Sequence, residues 1–187
     1  MPDPSAPFAL VLHGGAGAMR GRDYAAQLRH LSSLVEQGRG RLAAGASALD
    51  VVVEMVGELE ASGLYVAGRG APPNLAGLYE LDASLMDGAS GKAGAVAALQ
   101  GFRSPIAVAR AVMERTPHVL LAGGGAAAFA HDQGLGAIAD EAAWFTGARG
   151  IVAGETPHGT VGCVALDRNG RLAVSTSWRA RRMRKAT

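Results

Sequence analysis

Residues 159–177 read GTVGCVALDRNGRLAVSTS. Two short apolar runs, 161–166 and 172–176, flank Asn169-Gly170, a dipeptide that suits the tight turn joining antiparallel strands. The segment predicts a β-hairpin. A second hairpin is predicted upstream, where 79–86 (YELDASLM) alternates, Asp87-Gly88 is a turn signal and 93–99 is the partner strand. FALVL at 8–12 reads as a buried strand entering a glycine-rich turn, and 118–121 as a further short strand. Helical spacing appears between them. Tyr24, Leu28, Leu31 and Val35 mark one helix, expected to end in the glycine-containing stretch 38–40. Ser47 with Asp50 fits a capping pattern ahead of Leu49, Val52, Val53, Val56 and Leu59. Ser104-Pro105 reads as the start of a helix that stops near Thr116-Pro117, and the glycines at 123–125 open another that contains Phe129. The loop 63–77 and the stretch 144–159 read as connections. Strands and helices are mixed, so the expected class is α/β or α+β.

Composition bounds the rest. The chain has 187 residues, 49% of them hydrophobic, which is enough for a core. With 5% aromatics and 27 glycines, that core should rest on small-residue packing. The single cysteine, Cys163, permits no internal disulfide and reads as a buried small hydrophobe. No secretory signal and no apolar run of about 18 residues is present, so a cytoplasmic chain with no membrane partner is expected. The net charge of +2 conceals a basic end. WRARRMRKAT at 178–187 holds five basic and no acidic residues, leaving 13 basic against 16 acidic in the body. The tail reads as a solvated end, and nucleic acid is not an expected partner.

Three stretches could carry chemistry. HGGAG at 13–17 follows a strand, and its glycines let backbone N–H groups approach an anion or a reacting carbonyl. It lacks the lysine of a P-loop. GTVG at 159–162 places Thr160 after a glycine. A threonine hydroxyl is a weak nucleophile unless a base adjoins it, and an N-terminal threonine has that base in its own α-amine. Successive carbonyls in the loop 59–69 (LEASGLYVAGR) could hold a hard monovalent cation. The alternatives are structural: a tight turn, a β-branched residue opening a strand, and a connecting loop. Asp82 and Asp87 read as structural carboxylates. His13, His30, His118, His131 and His158 show no metal-ligand spacing.

HGGAG, ELDASLMDG at 80–88, TPHVLLAGGGAAAFA at 116–130 and GTVGCVALDRNGRLAVSTS occur in one order. Together they resemble the plant-type asparaginase/isoaspartyl peptidase family of N-terminal nucleophile hydrolases, over residues 8–177. The resemblance implies an αββα four-layer sandwich assembled as a homo-oligomer of αβ units. It implies a precursor with an α-chain region at 1–159 and the start of a β-chain region at 160–187. Thr160 would cut the chain after Gly159 and then hydrolyse asparagine or a β-aspartyl dipeptide, with His13, Gly14 and Gly15 in the active-site loop. No cofactor is required. A structural sodium ion would take backbone carbonyls of Leu59, Glu60, Ser62, Tyr65, Ala67 and Arg69.

The chain departs from the family pattern at three places. Val66 stands where the family has asparagine. Trp178, then Arg179-Ala180, replaces the Thr-Gly-Gly that follows the hairpin, and an indole cannot act as a hydroxyl donor. Thr187 ends the chain before the positions that grip the substrate and form the oxyanion hole in the family. On this reading the sandwich is incomplete, the chain is impaired as given, and it is expected to be poorly soluble or oligomeric through an uncovered apolar face. The competing expectations are a non-catalytic remnant, or a subunit completed by a partner, and a phosphate-binding module or small-molecule kinase using HGGAG.

Overall fold

A computed structural model describes residues 5–16, 20–147 and 159–179. The linker residues 148–158, with His158, and the tail residues 180–187 lie outside them. The elements are β1 (Ala9–His13), α1 (Ala25–Ala43), α2 (Ala48–Ala61), a 3₁₀ turn at Gly68–Gly70, β2 (Leu81–Asp87), β3 (Ala93–Leu99), α3 (Pro105–Arg115), β4 (Leu120–Ala122), α4 (Gly123–Asp132), α5 (Glu141–Trp144), β5 (Thr160–Leu166) and β6 (Leu172–Arg179). The strands form one sheet in the order β1-β5-β6-β2-β3-β4. Every neighbouring pair is antiparallel except β3 with β4. The expected mixed α/β class is therefore the observed one, and both predicted hairpins form. The β5–β6 hairpin sits in the interior of the sheet, between β1 and β2. Residues on either side of the Gly159–Thr160 junction thus contribute strands to the same sheet.

The hairpin turn is tied to the helical layer by a side chain that local pattern did not single out. Asp167 is buried; its Oδ1 accepts from Asn169 N at 2.9 Å and Arg171 N at 3.1 Å. Its Oδ2 accepts from Ala48 N at 3.1 Å, in the first turn of α2. The expected cap of α2 is present as well, with Ser47 Oγ accepting from Asp50 N at 3.1 Å.

Helix α1 corrects the sequence reading. It does not end at residues 38–40 but runs on to Ala43. Its end is made by Gly45, at φ +90°, with Gly45 N donating to Leu42 O and Ala46 N to Arg41 O, both at 3.0 Å. That pair of bonds satisfies the last carbonyls of the helix. Gly38 serves packing instead, because a Cβ there would lie 2.5 Å from Leu10 Cδ2 and 3.1 Å from Met55 Sδ. Gly40 has open space around its Cα. Gly40→Ala should therefore raise stability by about 0.5–1 kcal/mol, whereas Gly38→Ala should show no such gain. Urea denaturation of the two variants checks this, and an equal gain for both would sink it.

Helices α1, α2 and α3 cover one face of the sheet. Small side chains let them approach closely, as the composition implied. Ser175 Oγ donates to Val52 O at 2.8 Å, and a Cβ on Gly94 would collide with Ala109 O of α3. The opposite face carries a cross-strand apolar row, Val11–Val164–Val174–Met86, set by the strand register. These four side chains are 64%, 44%, 43% and 46% exposed. Among the described residues this row is an exposed apolar stripe.

Candidate active site

Thr160 opens β5 on this uncovered face and is exposed. Its neighbour across the β5–β6 ladder is Trp178, whose own neighbour on β2 is Asp82. The glycine-rich loop after β1 comes to the same place. His13 pairs with Gly162, and Gly15 takes φ +114°, which only glycine adopts without strain. A Cβ on Gly15 would lie 3.6 Å from Gly159 Cα and 3.7 Å from both Thr160 N and Thr160 O. The loop 59–69 arrives from the other side, where a Cβ on Gly159 would lie 2.5 Å from Val66 Cβ. The fold thus gathers His13, Gly14, Gly15, Gly159, Thr160 and the loop around Val66, which are far apart in sequence. Gly17 of the HGGAG stretch lies outside the described residues.

The loop is held by its own side chains. Tyr65 is buried; its hydroxyl donates to Gln27 O at 3.1 Å and lies 3.2 Å from His30 Nδ1. Its ring packs under Gly14, and burial raises the phenol to about 12. Ser62 Oγ donates to Leu59 O at 2.8 Å, and Arg69 O accepts from Thr146 N at 3.0 Å. Ala67 O accepts from Gly70 N at 3.1 Å. Two glycines let the backbone pack against other carbonyls of the same stretch. A Cβ on Gly68 would lie 2.6 Å from Glu60 O, and one on Gly70 would collide with Tyr65 O and lie 3.0 Å from Gly63 O. Of the six carbonyls expected to hold a cation, those of Leu59, Ala67 and Arg69 thus already accept hydrogen bonds. Among the described residues, no group of three or more His, Cys, Asp or Glu side chains could hold a metal.

The sequence points only to the carbonyl of Glu60, yet its side chain is the most unusual group near the site. It is wholly buried. Its Oε2 accepts from Ser104 Oγ at 2.6 Å and its Oε1 from Ile106 N at 3.1 Å, so the carboxyl seats on the N-terminus of α3. Ser177 Oγ makes no hydrogen bond of acceptable geometry but lies near enough to favour the charged carboxylate. Desolvation outweighs these donors and pushes the pKa up from 4.5 to about 8. The folded protein then keeps a proton that the unfolded chain releases. This contribution to stability is complete below pH 4.5 and is lost as the pH rises toward 8. Between those limits wild type should lose stability relative to Glu60→Gln by up to about 1.4 kcal/mol per pH unit. Denaturant midpoints of both proteins from pH 5 to 8 check this, and parallel profiles would exclude it.

The remaining candidates are structural. Asp82 is buried on the Thr160 row, opposite the register shift between β2 and β3. Its Oδ1 accepts from Ala98 N at 2.7 Å, and Ala98 has φ +51°, so the carboxylate caps a bulge in a strained backbone. Burial raises its pKa, while the Ala98 N–H and the Trp178 indole hydrogen bond lower it. Asp87 closes its turn by accepting from Ser90 Oγ at 2.6 Å. Cys163 is buried as expected, and burial pushes its thiol up to about 12.

A family model described as Asparaginase (Asparaginase_2) matches residues 6–150. The chain is 43% identical over 192 residues to the isoaspartyl peptidase of Salmonella typhimurium, covering 90% of this chain and 61% of that protein. It is 41% identical over 186 residues to the plant-type L-asparaginase of Pyrobaculum calidifontis, covering 90% and 61%. It is 37% identical over 179 residues to the isoaspartyl peptidase/L-asparaginase of Xenopus laevis, covering 90% and 58%. The chain spans about 60% of the length of the curated relatives it matches. With the family model matching most of its residues, the chain belongs to the asparaginase family that includes isoaspartyl peptidases and plant-type L-asparaginases.

Proposed function

We propose that this chain carries the nucleophile half of an amidohydrolase acting on asparagine or β-aspartyl dipeptides, with Thr160 as nucleophile. The observation that supports it best is the approach of Gly15 to the Thr160 backbone on an exposed sheet face. Thr160 Oγ attacks the Gly159 carbonyl carbon, the Gly159–Thr160 C–N bond breaks, and the hydroxyl proton ends on the new α-amine. Water then cleaves the ester, leaving a Gly159 carboxylate and a free Thr160 with both hydroxyl and amine. That amine is the base for the next attack, on the side-chain amide of the substrate. The substrate's C–N bond breaks, ammonia or the second amino acid leaves with the proton taken from the hydroxyl, and water cleaves the aspartyl ester to release aspartate and regenerate Thr160. Carbonyls of the 59–69 loop would hold a sodium ion, which supplies fixed positive charge that keeps the loop curled. Assembly is as a homo-oligomer of αβ units.

The test uses the full chain. Intact-mass spectrometry should find cleavage between Gly159 and Thr160, and assays should find ammonia released from asparagine or aspartate from β-aspartyl-leucine. An uncut chain that hydrolyses neither would reject the reading. The exposed Val11–Val164–Val174–Met86 row supports a second reading, a subunit whose open face is completed by another polypeptide. In that case hydrolysis appears only when a separately expressed polypeptide matching the part of the relatives that this chain does not cover is added.

A further inference from the structure

The Gly159–Thr160 peptide lies in a slot. One wall is the backbone of Gly15. The other is the side chain of Val66, at 2.5 Å (Cβ) and 3.0 Å (Cγ2) from where a Cβ on Gly159 would sit, with Val66 Cα at 3.5 Å. The first and last of these atoms cannot rotate away, because a Cβ and a Cα move only with the backbone. That backbone is anchored on both sides. Tyr65 is held against α1 by its hydroxyl, and Ala67 is wholly buried. Valine is also stiff at χ1, so its methyl wall holds its position.

We infer that Val66 is a positioning residue, which admits only glycine before Thr160 and fixes the orientation of the Gly159 carbonyl. The inference rests on the proposed role of Thr160 for its consequence but not for its geometry. Glycine at 159 is usually a source of backbone freedom. Here that freedom is removed by a neighbour 93 positions earlier in the chain. A carbonyl held in one orientation is what attack by an adjacent hydroxyl requires, and small misplacement is costly in rate.

Two measurements decide it. The first is a thermal double-mutant cycle on the full chain. Gly159→Ala should lower the melting temperature clearly, Val66→Gly should lower it modestly, and the double variant should recover much of the Gly159→Ala loss. Strictly additive losses would overturn the inference. The second is the rate of self-cleavage by intact mass. Val66→Ala should slow it about 10–100-fold at little change in melting temperature, and Val66→Thr, which keeps the branched Cβ, should restore it. Equal rates for wild type and Val66→Ala would overturn the positioning role. If wild type does not cleave at all, the Thr160 reading fails, and the thermal cycle alone decides whether Val66 dictates glycine at 159.

Discussion

Glu60→Ala is expected to lower the stability of this protein by about 3–5 kcal/mol. The carboxyl is wholly buried among α2, α3 and β6 and accepts from Ser104 Oγ and Ile106 N. Truncation removes the acceptor for one buried and one half-buried donor and leaves a cavity at the buried start of α3. Each stranded donor costs about 1–3 kcal/mol, and the cavity adds to that. Glu60→Gln keeps the volume and one acceptor oxygen. Its amide can also turn Ser104 Oγ from donor to acceptor, so it should cost less than half as much. Equilibrium urea unfolding at pH 6 is the check. A Glu60→Ala protein within about 1 kcal/mol of wild type would mean that the α3 N-terminus is satisfied without it. The variant has a functional corollary, because Glu60 lies in the last turn of α2, which leads into the loop whose Val66 faces Gly159. Loosening that end should blur the slot around the junction before it unfolds the sheet.

What could be read from sequence follows the range of the physics involved. Signals acting over a few residues survived intact. Asn169-Gly170 makes its turn, Ser47 and Ser104 cap their helices, and the stop at Thr116-Pro117 holds. Signals set by tertiary contact did not. Gly38 looked like a terminator because its role, a close approach to Leu10 and Met55, is visible only once β1 and α2 are placed. Asp167 carries no signal of its own in the sequence, because one of its three side-chain hydrogen bonds reaches a residue 119 positions away. Glu60 was noticed as one carbonyl in a glycine-rich loop. The reason to bury its carboxyl lies at the start of α3, 44 residues on. The proposed nucleophile lies between these extremes. Spacing alone made Thr160 an ordinary strand opener, the ordered set of motifs raised it to a candidate, and its neighbourhood with Gly15 and Val66 became visible only in three dimensions.

Thr160→Ala should abolish cleavage between Gly159 and Thr160 and lower any amide hydrolysis by at least about 10⁴-fold. In the proposed reaction the hydroxyl is the attacking group in both steps, and among the described residues no other hydroxyl opens β5 beside Gly15. Thr176, on the neighbouring strand, already donates its Oγ1 proton to Val161 O at 2.9 Å and so is committed elsewhere. Because Thr160 is exposed, the substitution should move stability by no more than about 0.5 kcal/mol. Loss of function without loss of fold therefore separates a chemical role from a structural one. Thr160→Ser refines the test. It keeps the nucleophile but removes the methyl group that limits χ1, so it should still cleave, more slowly, from a less ordered hydroxyl. A Thr160→Ala chain that is cut at the same bond as wild type would assign the cut to an outside protease. The glycine slot would then be a packing feature rather than part of a self-processing site.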